Sequence, residues 1–187
     1  MGDTANVRAW QGGEVFVAPV GTTGPTNIAT PLDAAFKTLG ILDQDTGAEE
    51  ARSEDKSEKY GWGVGKVRVL YSKHSRSIKV MALETNAVVM KLVNQGSTST
   101  AAGGITTTLV KSPTHVREAF VVQETDGPIT RRRWIKTADV SVTGTIKDAE
   151  TDVAGYELTI EVYPDASSGE LWTEISNDPA MVDLTSA

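Results

Sequence analysis

The sequence predicts a mainly β protein, a two-sheet β-sandwich or small barrel with one flanking α-helix, a long inter-strand loop and terminal arms. Three observations carry this. Period-2 alternation recurs in short segments, most cleanly where Tyr156, Leu158, Ile160 and Val162 alternate with Glu157, Thr159 and Glu161. Turn chemistry separates those segments, as in Gly21-Thr22-Thr23-Gly24-Pro25 and Asp126-Gly127-Pro128. One stretch alone changes to a helical period. About seven to nine strands with a single helix resolve into a sandwich or barrel.

Residues 1–12 are polar apart from Val7 and Trp10 and read as an N-terminal arm. A tryptophan in such an arm needs a surface to bury on. The sandwich domain is expected over residues 13–169. Its first strand spans 14–18, with Val15 and Val17 on one face and Phe16 and Ala18 on the other, closed by Pro19. Residues 32–39 predict one or two helical turns ending at Gly40.

Residues 43–63 are polar until Tyr60 and Trp62. A loop this long is uncommon inside a compact domain and is usually functional or disordered. At about 3.3–3.6 Å per residue, out and back, it projects roughly 30–35 Å. A chain of this length has a radius of gyration near roughly 16 Å. The loop therefore has the reach to extend most of a domain's length, into a neighbouring molecule. The plainer alternatives are a solvated loop or a short surface helix over 49–59.

Val67, Val69 and Tyr71 then alternate on odd positions, while Ile78, Val80 and Ala82 resume on even ones. This parity switch requires a bulge, a bend or a turn within the polar run 72–77. The helix is expected over 85–95. Thr85 or Asn86 caps it, Val88, Val89, Leu92 and Val93 form its apolar face, and Gly96 takes the left-handed position after it. A helix of about ten residues is too short to stand alone and must dock on the sheets.

Residues 97–104 read as a flexible linker by composition. Segments 105–111 and 116–125 read as a strand pair joined near Pro113, and 129–137, 139–147 and 156–163 as three further strands. Residues 148–154 form a polar connection. Residues 170–187 are a C-terminal strand or arm, anchored by Leu171, Trp172 and Ile175 and more weakly by Met181, Val182 and Leu184.

The 187 residues suffice for one domain with a full core, and 39% of them are hydrophobic. The net charge of −7 opposes wrapping a nucleic acid, which needs cations to neutralise phosphates. The chain has no cysteine, hence neither disulfides nor thiolate chemistry. No apolar run approaches a membrane span and no secretory leader is legible, so a soluble protein is expected.

The search for chemistry predicts no catalytic residue, no metal and no cofactor. His74 and His115 lack ligand spacing around them. Asp43-Gln44-Asp45-Thr46-Gly47 opens like a calcium loop, but Ala48 stands where that loop needs glycine. Gly63-Val64-Gly65-Lys66 hints at a phosphate loop, but Tyr60 and Val67 break it. There is no nucleophile elbow. Arg131, Arg132 and Arg133 lie on a strand, where alternate residues face opposite ways, so they make no single basic patch. They are expected to pair with carboxylates within or between subunits, with the acidic run 49–58 as the candidate partner.

The order of short motifs resembles the major tail proteins, the tail tube subunits, of long non-contractile-tailed phages. The matching words are Gly13-Glu14-Val15-Phe16-Val17-Ala18-Pro19, Leu39-Gly40-Ile41-Leu42 leading to Thr46-Gly47, Leu83-Glu84-Thr85-Asn86, Val140-Ser141-Val142-Thr143-Gly144 and Gly155-Tyr156-Glu157-Leu158-Thr159-Ile160. The resemblance implies a structural virion protein without catalysis. It implies six copies in a ring and rings stacked into a hollow tube, assembled in the host cytoplasm. It also implies a tape-measure protein inside, a tail terminator and tail-tip proteins at the ends, and double-stranded DNA sliding past an acidic lumen without specific binding. Under this reading Glu49, Glu50, Arg52, Glu54, Asp55, Lys56, Tyr60, Trp62, Arg131 and Arg133 make inter-ring or inter-subunit contacts. Trp10 and Trp172 anchor the arms on neighbouring subunits. Two alternatives stand beside it: the tube of a contractile tail or related injection machine, and a non-catalytic β-sandwich binding module. A carbohydrate-binding module would show a row of exposed aromatics, whereas Trp10, Trp62, Trp134 and Trp172 lie in four separate segments.

Overall fold

The computed structural model describes residues 4–142, 144–151 and 153–181. Expectations that fall on 1–3, on Thr143 or on 182–187, including the anchors Val182 and Leu184, lie outside the described residues. Among the described residues, after a 3-10 turn at Thr4–Asn6, ten strands and one α-helix follow in order: β1 (Gly12–Pro19), β2 (Lys37–Thr38), β3 (Ala48–Gly61), β4 (Gly65–Ala82), α1 (Ala87–Val93), β5 (Thr98–Ala102), β6 (Ile105–Leu109), β7 (Glu118–Asp126), β8 (Ile129–Val142), β9 (Tyr156–Val162) and β10 (Thr173–Ser176). The main sheet runs β2-β1-β7-β8-β9-β4-β3, with β10 also on β8, and β5-β6 form a separate two-stranded sheet. The fold is mainly β with a single helix, as the alternation predicts.

The long strand β8 joins the two halves of the sandwich. Its first part pairs with β7 and β10, and its last part, Ala138 to Val142, pairs with β9. The sheet curls there, so Val15 and Val17 of β1 share one core with Ile78, Val80 and Ala82 of β4, although three strands separate them in the sheet. The helix α1 covers this core with Val89 and Leu92. Asn86 caps it: its Oδ1 accepts from the Val88 and Val89 N–H groups at 3.0 and 2.9 Å. Beyond the helix Gly96 has φ +82°, the left-handed position expected.

Burial on β9 follows the predicted alternation, with Tyr156, Leu158, Ile160 and Val162 inside. The strand β7 is buried on both faces. Phe120 and Val122 enter the main core, while Val121 joins Ala18 and Phe36 in a second cluster on the opposite face. Residues 20–36 cover that second cluster. Arg132 holds them in place, donating to the carbonyls of Asn27 and Thr30 at 2.9 and 2.8 Å. Gly24 lies flat on Trp134, where an added Cβ would stand 2.0 Å from the indole. We expect Gly24→Ala to destabilise the fold by about 1–3 kcal/mol through overpacking, read as a lowered urea midpoint with unchanged slope.

Several expectations are corrected. Residues 32–39 form no helix; they hold a turn and the short strand β2, because Phe36 and Leu39 must enter two different clusters. The presumed linker 97–104 contains β5, which pairs with β6 rather than leaving 105–111 to pair with 116–125. The strands expected at 129–137 and 139–147 are one strand to Val142. The largest change concerns 43–63. This stretch is neither a loop nor a surface helix, because Ala48–Gly61 is a fourteen-residue strand.

Candidate functional site

A strand is held laterally by its neighbours, and β4 loses one of them halfway along. It pairs with β9 only from Arg76 to Ala82, but with β3 along almost its whole length, to Gly65. Beyond Arg76, segments 52–61 and 65–75 form a ribbon with no third strand. At about 3.3 Å per residue it projects roughly 33 Å. Every side chain on it is exposed or half-buried. An isolated two-stranded ribbon is marginal in water at best.

The predicted parity switch sits inside this ribbon as a bulge. Ser53 faces Ser75 and Asp55 faces Ser72, so Glu54 opposes both Lys73 and His74. Lys73 takes the left-handed φ of 53° that such a bulge imposes. Local contacts bridge it: the Lys73–Asp55 ion pair at 2.7 Å, and His74 Nδ1 beside Glu54 at 3.0 Å. Nearer the tip, Glu58 gathers three donors, Lys56 at 2.8 Å, Lys66 at 2.6 Å and the Tyr60 hydroxyl at 2.6 Å. These hydrogen bonds, from Lys56 first and then Lys66 and Tyr60, lower its carboxyl from 4.5 to about 2.

The tip itself is apolar. Trp62 is fully exposed, and Tyr60, Val64 and Val67 are 67%, 80% and 64% exposed. Lys59 and Arg68 face each other directly across the ribbon, an unfavourable like-charge pair, and neither has a carboxylate within ion-pair distance among the described residues. Of the residues singled out from sequence, Arg52, Glu54, Asp55, Lys56, Tyr60 and Trp62 lie on this ribbon. Reading from sequence places Glu58 only within the acidic run 49–58 and misses Lys66, Arg68, Val64 and Val67. The signal for them is the cross-strand register, which appears once Trp62-Gly63-Val64 is recognised as the turn between two strands.

The remaining site residues lie at the ribbon's root or on β8. Glu49 is exposed opposite Lys79. Glu50 is drawn into a cluster with Arg52 at 2.7 Å, Arg76 at 3.3 Å and Arg133 at 3.5 Å. Burial raises its carboxyl, but the bond from Arg52 and the fields of Arg52, Arg133 and Arg76 outweigh that and hold it below the usual value. Arg133, 3% exposed, also meets Glu124 at 2.9 Å, and Arg131 meets the same carboxylate at 2.7 Å. Arg131 stacks over Trp10 at 4.4 Å, and Arg8 binds Asp178 at 2.6 Å, so the N-terminal arm lies on its own domain. Trp172 packs against the main core with Arg76 over its ring at 5.0 Å.

Among the described residues no three acidic or histidine side chains converge where a metal ion could be held. No helix of the described residues is long and apolar enough to cross a membrane. No curated protein matches the chain. A family model does, over residues 1–186 of the 187, and it is the model of the phage tail tube proteins. A curled sandwich with one docked helix and a ribbon that its own domain leaves uncovered agrees with that match, and the chain belongs to the phage tail tube protein family.

Proposed function

We propose that six copies of this chain close into a ring and that the rings stack into the hollow tail tube of a long, non-contractile tail. The tube is assembled in the host cytoplasm around a tape-measure protein. A terminator and tail-tip proteins close its ends, and it conducts double-stranded DNA without binding it specifically. The role is structural rather than catalytic, in line with the family.

The observation that carries this reading is the projecting ribbon. Its edges and apolar tip are unsatisfied in the single subunit, which a neighbouring copy remedies. The main sheet supports the ring in the same way. One of its edges is the fourteen-residue strand β3, open to pairing along its length. The net charge of −7 suits a wall past which a polyanion slides.

Negative-stain microscopy of the purified protein, at rising concentration and with a tail-tip complex supplied, tests the proposal. Hollow tubes or six-fold rings are expected. Monomers persisting with the tip complex present would overturn the tube, and class averages of another symmetry would overturn the hexamer.

A further inference from the structure

We infer that the tip of the β3–β4 ribbon seats in the groove between α1 and the β5–β6 hairpin of another copy, with Trp62 as the plug. The groove measures about 840 Å³ and is lined by Met90, Leu92, Thr108, Val110, Val116 and Glu118, among others. The inference rests on the tube reading and names the surface that receives the ribbon.

Four observations support it. Trp62 is fully exposed in its own subunit, so it does not fill its own groove. An indole with Tyr60, Val64 and Val67 beside it is too apolar a knob to leave in water, and such aromatics bury about 150–250 Å² each when they dock. The receiving wall is itself unsupported: β5 and β6 pair only with each other and all ten of their residues are exposed, including Ser99, Thr106 and Thr108, which line the groove. A knob seated against that hairpin stabilises two ribbons that are each marginal alone.

The charges also match. Glu118 lines the groove with a side chain only 6% exposed, and Lys91, itself 66% exposed, meets it at 2.6 Å. The tip brings Lys59 and Arg68, both without a carboxylate among the described residues. Lys91 is mostly exposed, so Lys59 or Arg68 would take its place on, or share, this nearly buried carboxylate, which would offset the like-charge pair across the ribbon. Knob and groove lie on different parts of one chain, so the contact is heterologous. Where each copy donates its tip to one neighbour and receives another's, the contact propagates, whereas reciprocal exchange between two copies closes as a dimer; the length of the cross-linked ladder tells the two apart.

The absence of cysteine makes the test clean. Trp62→Cys is combined in turn with Met90→Cys, Thr108→Cys or Val110→Cys, assembled, and oxidised. Docking predicts a ladder of disulfide-linked dimers, trimers and longer species from at least one pair, since a disulfide needs Cα atoms within about 7 Å. Trp62→Cys with Thr26→Cys, on a different surface, should give no ladder beyond dimers. In parallel, Trp62→Ala should raise the critical concentration for tubes roughly tenfold or more, as loss of a central aromatic anchor does, and Trp62→Phe by less. Tubes without any ladder, or an unchanged critical concentration for Trp62→Ala, would overturn the groove as the receptor and leave the tube standing. Monomers with neither tubes nor ladder, for parent and variants alike, would overturn both.

Discussion

Replacing residues 53–75 by an Asn-Gly turn that joins Arg52 to Arg76 is expected to give a folded, soluble monomer that forms no tubes at any concentration. The cut falls where β9 stops supporting β4, and Arg52 and Arg76 already face each other across the ladder. A two-residue turn of this kind suits that pair because its twist matches the strands it joins. The deletion removes no member of either buried cluster, so the core keeps its stability. Circular dichroism and the urea midpoint should stay near those of the parent. Tubes of normal diameter from this variant would show that stacking does not use the ribbon.

The second large effect lies at the ribbon's root. Glu124→Ala is expected to cost about 3–5 kcal/mol, because Arg133 is almost wholly buried and would keep only the longer contact to Glu50. Arg131 would lose the same carboxylate while still lying over Trp10. A double variant Glu124→Leu with Arg133→Met should cost clearly less than the sum of its singles, since removing both partners leaves no uncompensated charge between them. Urea unfolding of the four proteins measures this, and additive costs would show that the pair is not coupled. The same cluster sets an acid limit. The Glu50 carboxyl is lower in the folded chain than its ordinary value of 4.5. Its contribution is therefore complete above about pH 4.5 and is lost as pH falls through the lower folded value. Below that point Glu50 no longer ties β3 to β8, so the root should loosen before the sheet melts.

Reading from the residues went furthest where a strand has one dry face. The alternation along β9 and the second half of β4 reports burial directly, and the parity switch between Tyr71 and Ile78 calls for an irregularity within 72–77, which the register shows to be a bulge at Lys73 and His74. Asn86 and Gly96 mark the helix ends because capping is local chemistry. The failures share a cause. The outer part of β3 and the whole of β5 have no buried face, so no hydrophobic period marks them, and β6, legible as a strand, has β5 and not 116–125 as its partner. A strand wet on both sides looks like a loop in composition alone. What identifies it is its partner: Trp62-Gly63-Val64 and Gly103-Gly104 are turn signals between two runs that pair with each other. Glu124 was invisible as a site residue for a different reason. Its importance comes from meeting Arg131 and Arg133 across β7 and β8, and that depends on register.

The sheet order also bears on synthesis from the N-terminus. The first strand, β1, must wait for β7, because Gly12 pairs with Thr125 and Pro19 with Glu118. Most of the chain has therefore been made before the sandwich can close, and such distant pairing is slow to form. The β3–β4 ribbon needs only its own neighbouring residues and pairs early. Strand edges with an apolar tip are thus available while the core is still open. The lysines, arginines and carboxylates that stud the ribbon, and the unrelieved Lys59–Arg68 repulsion, act in that interval as guards against premature pairing of edges. The charge pattern that makes the ribbon poor at holding itself together would thereby also disfavour its pairing with a second open ribbon.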